Sequence, residues 1–343
     1  MKVSVTLGTA RPGGLDVSLL GLANQTFQDF EILIIDSLYW RRHEEVLSAV
    51  RSSGIKQPVM HVPNHRYQPG LWGTTCAGYN TGFMLAAGEL IVMLCDFAYM
   101  SPDWLASHVA HHATEHPRMV VAPHQYRQLP TLKIRAETLR RVGTPPNVIL
   151  SQRERFFQDD GEISIFEDAL TSEAIRALPL DGPPDTDGKH SRESGPIHFS
   201  AMHTKNESFT TESILAINGM DENYDRGRGP GDTCLGRRFV ASGCHGWLAR
   251  DAGVIVLNPR GVMPNPNLAI QDDDYEGRWG VTSGDRYYRE TEERVVANNP
   301  FDLRELRDEI WKWRAMSQEK EAIIPRNVIS NEEYFAKCPQ VFP

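Results

Sequence analysis

Residues 90–103 read LIVMLCDFAYMSPD. Leu90 to Leu94 is an unbroken apolar run of strand length, the pattern of a strand buried on both faces. Cys95 and the acid Asp96 follow, and a carboxylate directly after five buried apolar residues needs a partner. Ser101-Pro102-Asp103 then spells a helix start: an N-cap hydroxyl, a proline in the first turn and an early acid. The helix is expected to run to about His116, ahead of Pro117.

The same alternation extends outward over residues 1–125. Val3 to Leu7, Glu31 to Ile35, Pro58 to Val62 and Met119 to Ala122 are further strand candidates. Leu15 to Asn24, Arg42 to Ser53 and Thr75 to Ala87 suit helices, the last two stopped by Gly54 and Gly88 where a left-handed cap is wanted. Repeated strand–helix units predict an α/β fold built on a mainly parallel sheet. From about residue 126 the pattern weakens, and residues 179–196, crowded with Pro, Gly and Asp, predict a mobile loop. A second loop-rich stretch covers 263–285, and Leu303, Leu306, Ile310 and Trp313 then recur at helical spacing. The organisation expected is a ligand-binding half over 1–125, a second half over 126–260 and a helical extension over 261–343.

Composition narrows the function classes. Hydrophobic residues make up 40% and charged residues 24% of the 343, ordinary globular usage with enough apolar content for a large core. A net charge of -9 lacks the basic footprint that nucleic-acid binding usually needs. The apolar opening Val3 to Leu7 is too short for a signal peptide and no run reaches membrane-spanning length, so a soluble cytoplasmic protein is expected. The five cysteines, Cys76, Cys95, Cys234, Cys244 and Cys338, are odd in number and contain no CxxC pair, so they read as reduced thiols.

Ligands of open parallel sheets bind beyond the carboxyl ends of the strands. Those positions here are Gly8-Thr9-Ala10-Arg11, Asp36-Ser37 and Cys95-Asp96. Two acids ending separate strands can hold a ribose or base and a hard divalent cation, although Asp36 reads equally well as a turn cap. Other signals weigh less. His108, His111, His112 and His116 fall on one predicted helix but lack an HExxH glutamate or a thiolate partner, so a solvated face is the better reading than zinc. Gly8 to Gly13 has P-loop spacing without the lysine and hydroxyl that a P-loop needs. Arg226 to Gly231 reads as a flexible approach to Asp232, Asp272 to Asp274 as a solvated turn, and Trp247 and Trp279 as core more often than sugar platforms.

Val3-Ser4-Val5 with Thr9, then Asn24-Gln25-Thr26-Phe27-Gln28-Asp29-Phe30-Glu31-Ile32 and Ile34-Ile35-Asp36-Ser37, resemble the opening of family 2 glycosyltransferases with a GT-A fold. Asn80-Thr81-Gly82, Ala86-Ala87-Gly88-Glu89-Leu90-Ile91 and the Asp96 to Pro102 segment are similar to that family's helix, strand and metal motif. Ile217-Asn218-Gly219-Met220-Asp221-Glu222 resembles its acceptor-side stretch, and Gly231-Asp232-Thr233-Cys234-Leu235-Gly236-Arg237-Arg238 its catalytic segment. The ordered match covers about residues 1–123 and 209–250.

The resemblance implies inverting transfer of a sugar from a nucleotide diphosphate sugar to an acceptor hydroxyl, assisted by Mn2+ or Mg2+. It implies that Thr9, Ala10, Arg11, Asp36 and Ser37 bind the donor nucleotide, that Asp96 binds the metal and that Asp232 is the general base, with Asp221 or Glu222 next in line. Ser37, Cys95 and Gly231 stand where the family often has acids. They leave open a second reading, a catalytically silent carbohydrate- or nucleotide-binding module of the same fold.

Overall fold

The computed structural model describes residues 1–9, 15–37, 39–66, 75–96, 98–128, 194–225, 231–258, 291 and 293–316. The expected strands form as β1 (Val3–Thr9), β2 (Phe30–Asp36), β3 (Val59–Pro63), β4 (Leu90–Cys95) and β6 (Arg118–Val121), with a short β5 (Ala98–Met100) and β7 (His124–Gln128) beside them. The helices of this half are α1 (Leu15–Ala23), α2 (Tyr39–Ser53), α3 (Thr75–Leu85) and α4 (Trp104–His111). Later residues add β8 (Gly195–Pro196), β9 (Asn206–Thr210), α5 (Thr211–Ala216), α6 (Gly231–Ala241), β10 (His245–Leu248), β11 (Val254–Asn258) and α7 (Leu303–Met316).

Eight strands form one sheet in the order β3-β2-β1-β4-β9-β6-β10-β8, and β5-β11-β7 form a second. β1, β2, β3, β4, β6 and β10 run one way, while β9 between β4 and β6, and β8 at the edge, run against them. The fold is thus α/β with a mixed, mainly parallel sheet flanked by helices, as the alternation predicts. β9 and β10 come from beyond residue 200, so strands from both halves of the chain share this sheet.

Alternation along the strands makes two cores. Val3, Val5 and Leu7 join Ile32, Ile34, Leu90, Val92 and Leu94 under α1 and α4. Leu33, Ile35, Ile91, Met93 and Phe209 pack on the other face with Phe83 of α3, Phe239 of α6 and Leu303 and Ile310 of α7. On that second face β1 carries the small polar Ser4 and Thr6, both fully buried. Ser4 Oγ donates to Glu31 and Thr6 Oγ1 to the Val92 carbonyl, so neither is left unpaired.

Three local expectations are corrected. α4 begins at Trp104 rather than at a Ser101 cap and ends at His111, and Asp103 makes no side-chain cap bond. Gln25 Oε1 takes the Leu105 amide instead, at 2.9 Å, so a neighbouring segment caps the helix. Gly54 has the left-handed φ of +80°, but Gly88 does not; a Cβ there would lie 2.6 Å from the Ser4 amide nitrogen, so Gly88 is required by close approach. Of the expected loop at 179–196, residues 179–193 lie outside the described residues and Gly195–Pro196 pair antiparallel with β10. Ala10, Arg11, Cys338, Trp279 and the 263–285 stretch also lie outside them. No helix among the described residues is long and apolar enough to cross a membrane.

Candidate functional site

Register brings the strand-end residues together. Thr9 lies opposite Asp36 across β1 and β2, and Gly8 opposite Cys95 across β1 and β4, which puts Asp96 one residue beyond the edge beside Thr9. Thr9 Oγ1 donates to Asp96 Oδ2 at 3.1 Å. The Ser37 amide donates to the Thr9 carbonyl at 2.9 Å, closing the β2 end onto the same edge.

Asp36 is fully buried and engaged through both oxygens. Arg42 Nε reaches Oδ2 at 2.6 Å and Nη2 reaches Oδ1 at 2.8 Å, a bidentate pair, and His61 Nε2 lies 3.0 Å from Oδ2. Burial alone would raise the Asp36 carboxyl, but the Arg42 charge and the bonds from His61 and Arg42 outweigh it and bring it down to about 2. Burial in turn pushes the His61 imidazole below its ordinary range, against the pull of Asp36. Arg42 Nη2 also donates to Thr9 Oγ1 at 3.0 Å, so one hydrogen-bonded path links Asp96, Thr9, Arg42, Asp36 and His61. The helix α2 breaks at Arg42 (φ -145°, ψ 17°), where that guanidinium turns back under the sheet edge. Sequence reading missed Arg42 because a charged residue in an amphipathic helix reads as solvated.

Asp232 lies in the first turn of α6, with Oδ1 accepting from the Thr233 amide at 2.8 Å. A helix N-terminus by itself favours the ionised form. Here burial dominates and raises the carboxyl above its ordinary value; nearby Glu207 pushes the same way and His203 opposes. The net effect is a raised carboxyl, and a raised carboxylate is a stronger proton acceptor. His203 belongs to the turn that enters β9, and Glu207 is the second residue of that strand. That turn docks on the strand ends: the Lys205 carbonyl accepts from the Cys95 amide at 3.1 Å, next to Asp96, and the Thr204 carbonyl from Tyr79 Oη at 2.9 Å. The Asp232 group and the Thr9–Asp96 pair thus share the carboxyl edge of the sheet.

The acidic stretch Asp221 to Asp225 is structural. Asp221 Oδ2 takes Arg238 Nη2 at 2.8 Å and Oδ1 takes the Asn223 side chain at 2.7 Å. Glu222 faces Asn80 Nδ2 at 2.9 Å, His65 at 3.1 Å and Arg66 at 3.5 Å. Asp225 caps α3 through the Cys76 and Ala77 amides at 2.8 and 2.9 Å, which hold it down, but burial and then Glu222 push it up to about 7.

The histidines of α4 are not a solvated face. His108 is fully buried and His112 nearly so, and both bond Ser208 Oγ at 2.8 Å, with His108 also 3.0 Å from Asn206 Oδ1. Burial lowers His108 to about 4 and His112 to about 3, so both are neutral. Among the described residues no three His, Cys, Asp or Glu side chains are grouped to hold a metal. Trp247 lies under the Arg118 guanidinium, 3.8 Å from its ring centre, at a cavity of about 320 Å³ by the amino ends of β6 and β10, opposite the Thr9–Asp96 edge.

No family model matches the chain, and no curated protein matches it in sequence. Among solved structures it is similar to the mannosyltransferase PcManGT from Pyrobaculum calidifontis in complex with GDP-Man and Mn2+, at 12% identity and a TM-score of 0.46, over 93% of this chain and 76% of that one. It is also similar to S. aureus TarS 1-349 in complex with UDP-GlcNAc, at 11% identity and a TM-score of 0.47, over 76% of this chain and 60% of that one. GalNAc-T7 with UDP, GalNAc and Mn2+ aligns at 12% identity and a TM-score of 0.49, over 90% of this chain and 54% of that one.

Proposed function

We propose that this chain is an inverting glycosyltransferase with a GT-A-like fold that moves a sugar from a nucleotide diphosphate sugar to an acceptor hydroxyl. The observation that carries the reading is the shared carboxyl edge: the Thr9–Asp96 pair on one side and the raised carboxylate of Asp232 on the other. The donor nucleotide lies over Thr9, Ala10, Arg11, Asp36 and Ser37, with residues 1–125 as the donor half and 126–260 as the acceptor and catalytic half. Asp36 acts from beneath, because both its oxygens are committed to holding Arg42 and His61.

Asp96 offers one carboxylate for a divalent ion, Mn2+ or Mg2+, and such ions commonly take one or two protein carboxylates and complete their shell with substrate phosphates and water. When bound, the ion neutralises charge on the departing diphosphate. Asp232 accepts the proton of the acceptor hydroxyl as that oxygen attacks the anomeric carbon from the face opposite the diphosphate. The carbon–oxygen bond to the diphosphate breaks, and the configuration inverts. The free thiols of Cys76, Cys95, Cys234 and Cys244 fit work in the cytoplasm.

Asp232→Asn tests the assignment, because asparagine keeps the shape and can still accept the Thr233 amide but cannot take the proton. The variant should keep its melting temperature and donor affinity while transfer falls by roughly two to four orders of magnitude. Transfer near the wild-type rate would place the base elsewhere. A silent binding module is the second reading, favoured by the commitment of both Asp36 oxygens; donor binding with no turnover across acceptors would select it.

A further inference from the structure

Four side chains at the carboxyl edge form a chain that the proposed transfer step does not use. Lys205 Nζ lies 3.4 Å from His124 Nε2, His124 Nδ1 lies 3.2 Å from His203 Nε2, and His203 Nδ1 faces Glu207 Oε1. Glu207 is fully buried in β9, where its Oε1 also accepts the His203 amide at 3.1 Å. His124 is nearly fully buried, and burial, then His203 and Lys205, bring its imidazole down to about 2, so it is neutral.

Chemistry orients the His124 ring. An ammonium only donates, so His124 Nε2 accepts from Lys205 and its single proton sits on Nδ1. That proton points to His203 Nε2, and His203 Nδ1 lies against the Glu207 carboxylate. The line runs from the ammonium of Lys205 to the carboxylate of Glu207 inside the sheet. The His124 and His203 rings pack edge to face, with centres 4.3 Å apart. The result is a lysine whose head is fixed near the ends of β4 and β6, since its own carbonyl bonds Cys95 and its ammonium bonds the first residue of β7.

A nucleoside diphosphate brought to this edge meets Asp96, of its own sign, while the Arg42 charge is committed to Asp36. Resting on the sugar-nucleotide reading above, we propose that the Lys205 ammonium is a protein cation that contacts the donor's diphosphate, and that His124, His203 and Glu207 are positioning residues that aim it. A fixed ammonium stabilises charge that grows on the leaving group without reorganising during the reaction.

The test is calorimetric binding of UDP and GDP, and of uridine and guanosine, in EDTA, to the wild type, Lys205→Met, Lys205→Arg and His124→Asn. Lys205→Met should weaken the diphosphate that the wild type binds by roughly ten- to a hundredfold, the worth of a charged hydrogen bond. It should leave the matching nucleoside unchanged; Lys205→Arg should recover part of the loss, and His124→Asn should lose less than Lys205→Met. Equal diphosphate affinity in wild type and Lys205→Met overturns the role of Lys205 and leaves the transferase reading standing. A wild type that binds neither diphosphate in EDTA overturns the role of Lys205 as well, and leaves the metal-assisted transferase reading to the Mn2+ experiment below. Equal losses for nucleoside and diphosphate would mark Lys205 as merely structural and also overturn the proposal.

Discussion

Asp36 and Asp225 are both fully buried carboxylates, yet their surroundings drive them in opposite directions. Asp36 sits at about 2, below its ordinary 3.8, so its stabilising effect is complete above about pH 4 and is lost as pH falls towards 2. Asp36→Asn leaves the Arg42 charge buried without its counter-ion and should cost about 3 kcal/mol at neutral pH. That cost should shrink in denaturant titrations as pH is lowered from 6 to 3, and a constant cost would contradict the assignment. Asp225 is raised to about 7, so between about pH 4 and 7 the folded state holds a proton that the unfolded chain has lost. Stability therefore falls as pH climbs through that window and is level above it. Asp225→Asn escapes this loss, and its melting temperature relative to wild type should rise by about 2 °C or more between pH 4.5 and 7.5. An unchanged difference would place the Asp225 carboxyl in its usual range.

At the level of elements, α4 and β9 explain each other. His108 and His112 look like a solvated face, and Asn206-Glu207-Ser208 looks too polar for a central strand. In the fold these two faces bury each other: Asn206 Oδ1 takes Trp104 Nε1 and faces His108, while Ser208 serves both histidines. A hydrophobic pattern cannot report a polar pair that is satisfied only across a long sequence separation, which is why β9 was not legible. The apolar strands of the first half were, because parallel strands buried on both faces leave continuous apolar runs. Glycines make a sharper test of packing. Gly88→Ala meets backbone atoms of Lys2, Val3 and Ser4 within 2.8 Å and should cost about 1–3 kcal/mol. Gly54→Ala meets open space and should cost only the strain of a positive φ, about 1 kcal/mol. Equal losses for the two, read by chemical denaturation, would show that close approach is not what requires Gly88.

Across the whole molecule, the carboxyl edge of one sheet gathers residues that lie more than two hundred positions apart, from Thr9 to Asp232. The strand-end rule located Thr9, Asp36 and Asp96 from sequence, since it needs only the order of strands and helices. Lys205, His124, His203 and Glu207 could not be found that way, because their meeting depends on an antiparallel strand inserted between β4 and β6. The claim that unites these residues is that the edge binds a nucleotide diphosphate sugar. Thermal shift against a panel of UDP- and GDP-sugars with Mn2+ tests it most directly, because a ligand that binds only the folded state stabilises it by about 2.7 kcal/mol at a hundredfold excess over Kd. At least one sugar nucleotide should raise the wild-type melting temperature by several degrees, and Asp96→Ala should lose the Mn2+-dependent part of that rise. A panel that leaves the wild-type melting temperature unmoved, with and without Mn2+, would contradict the account.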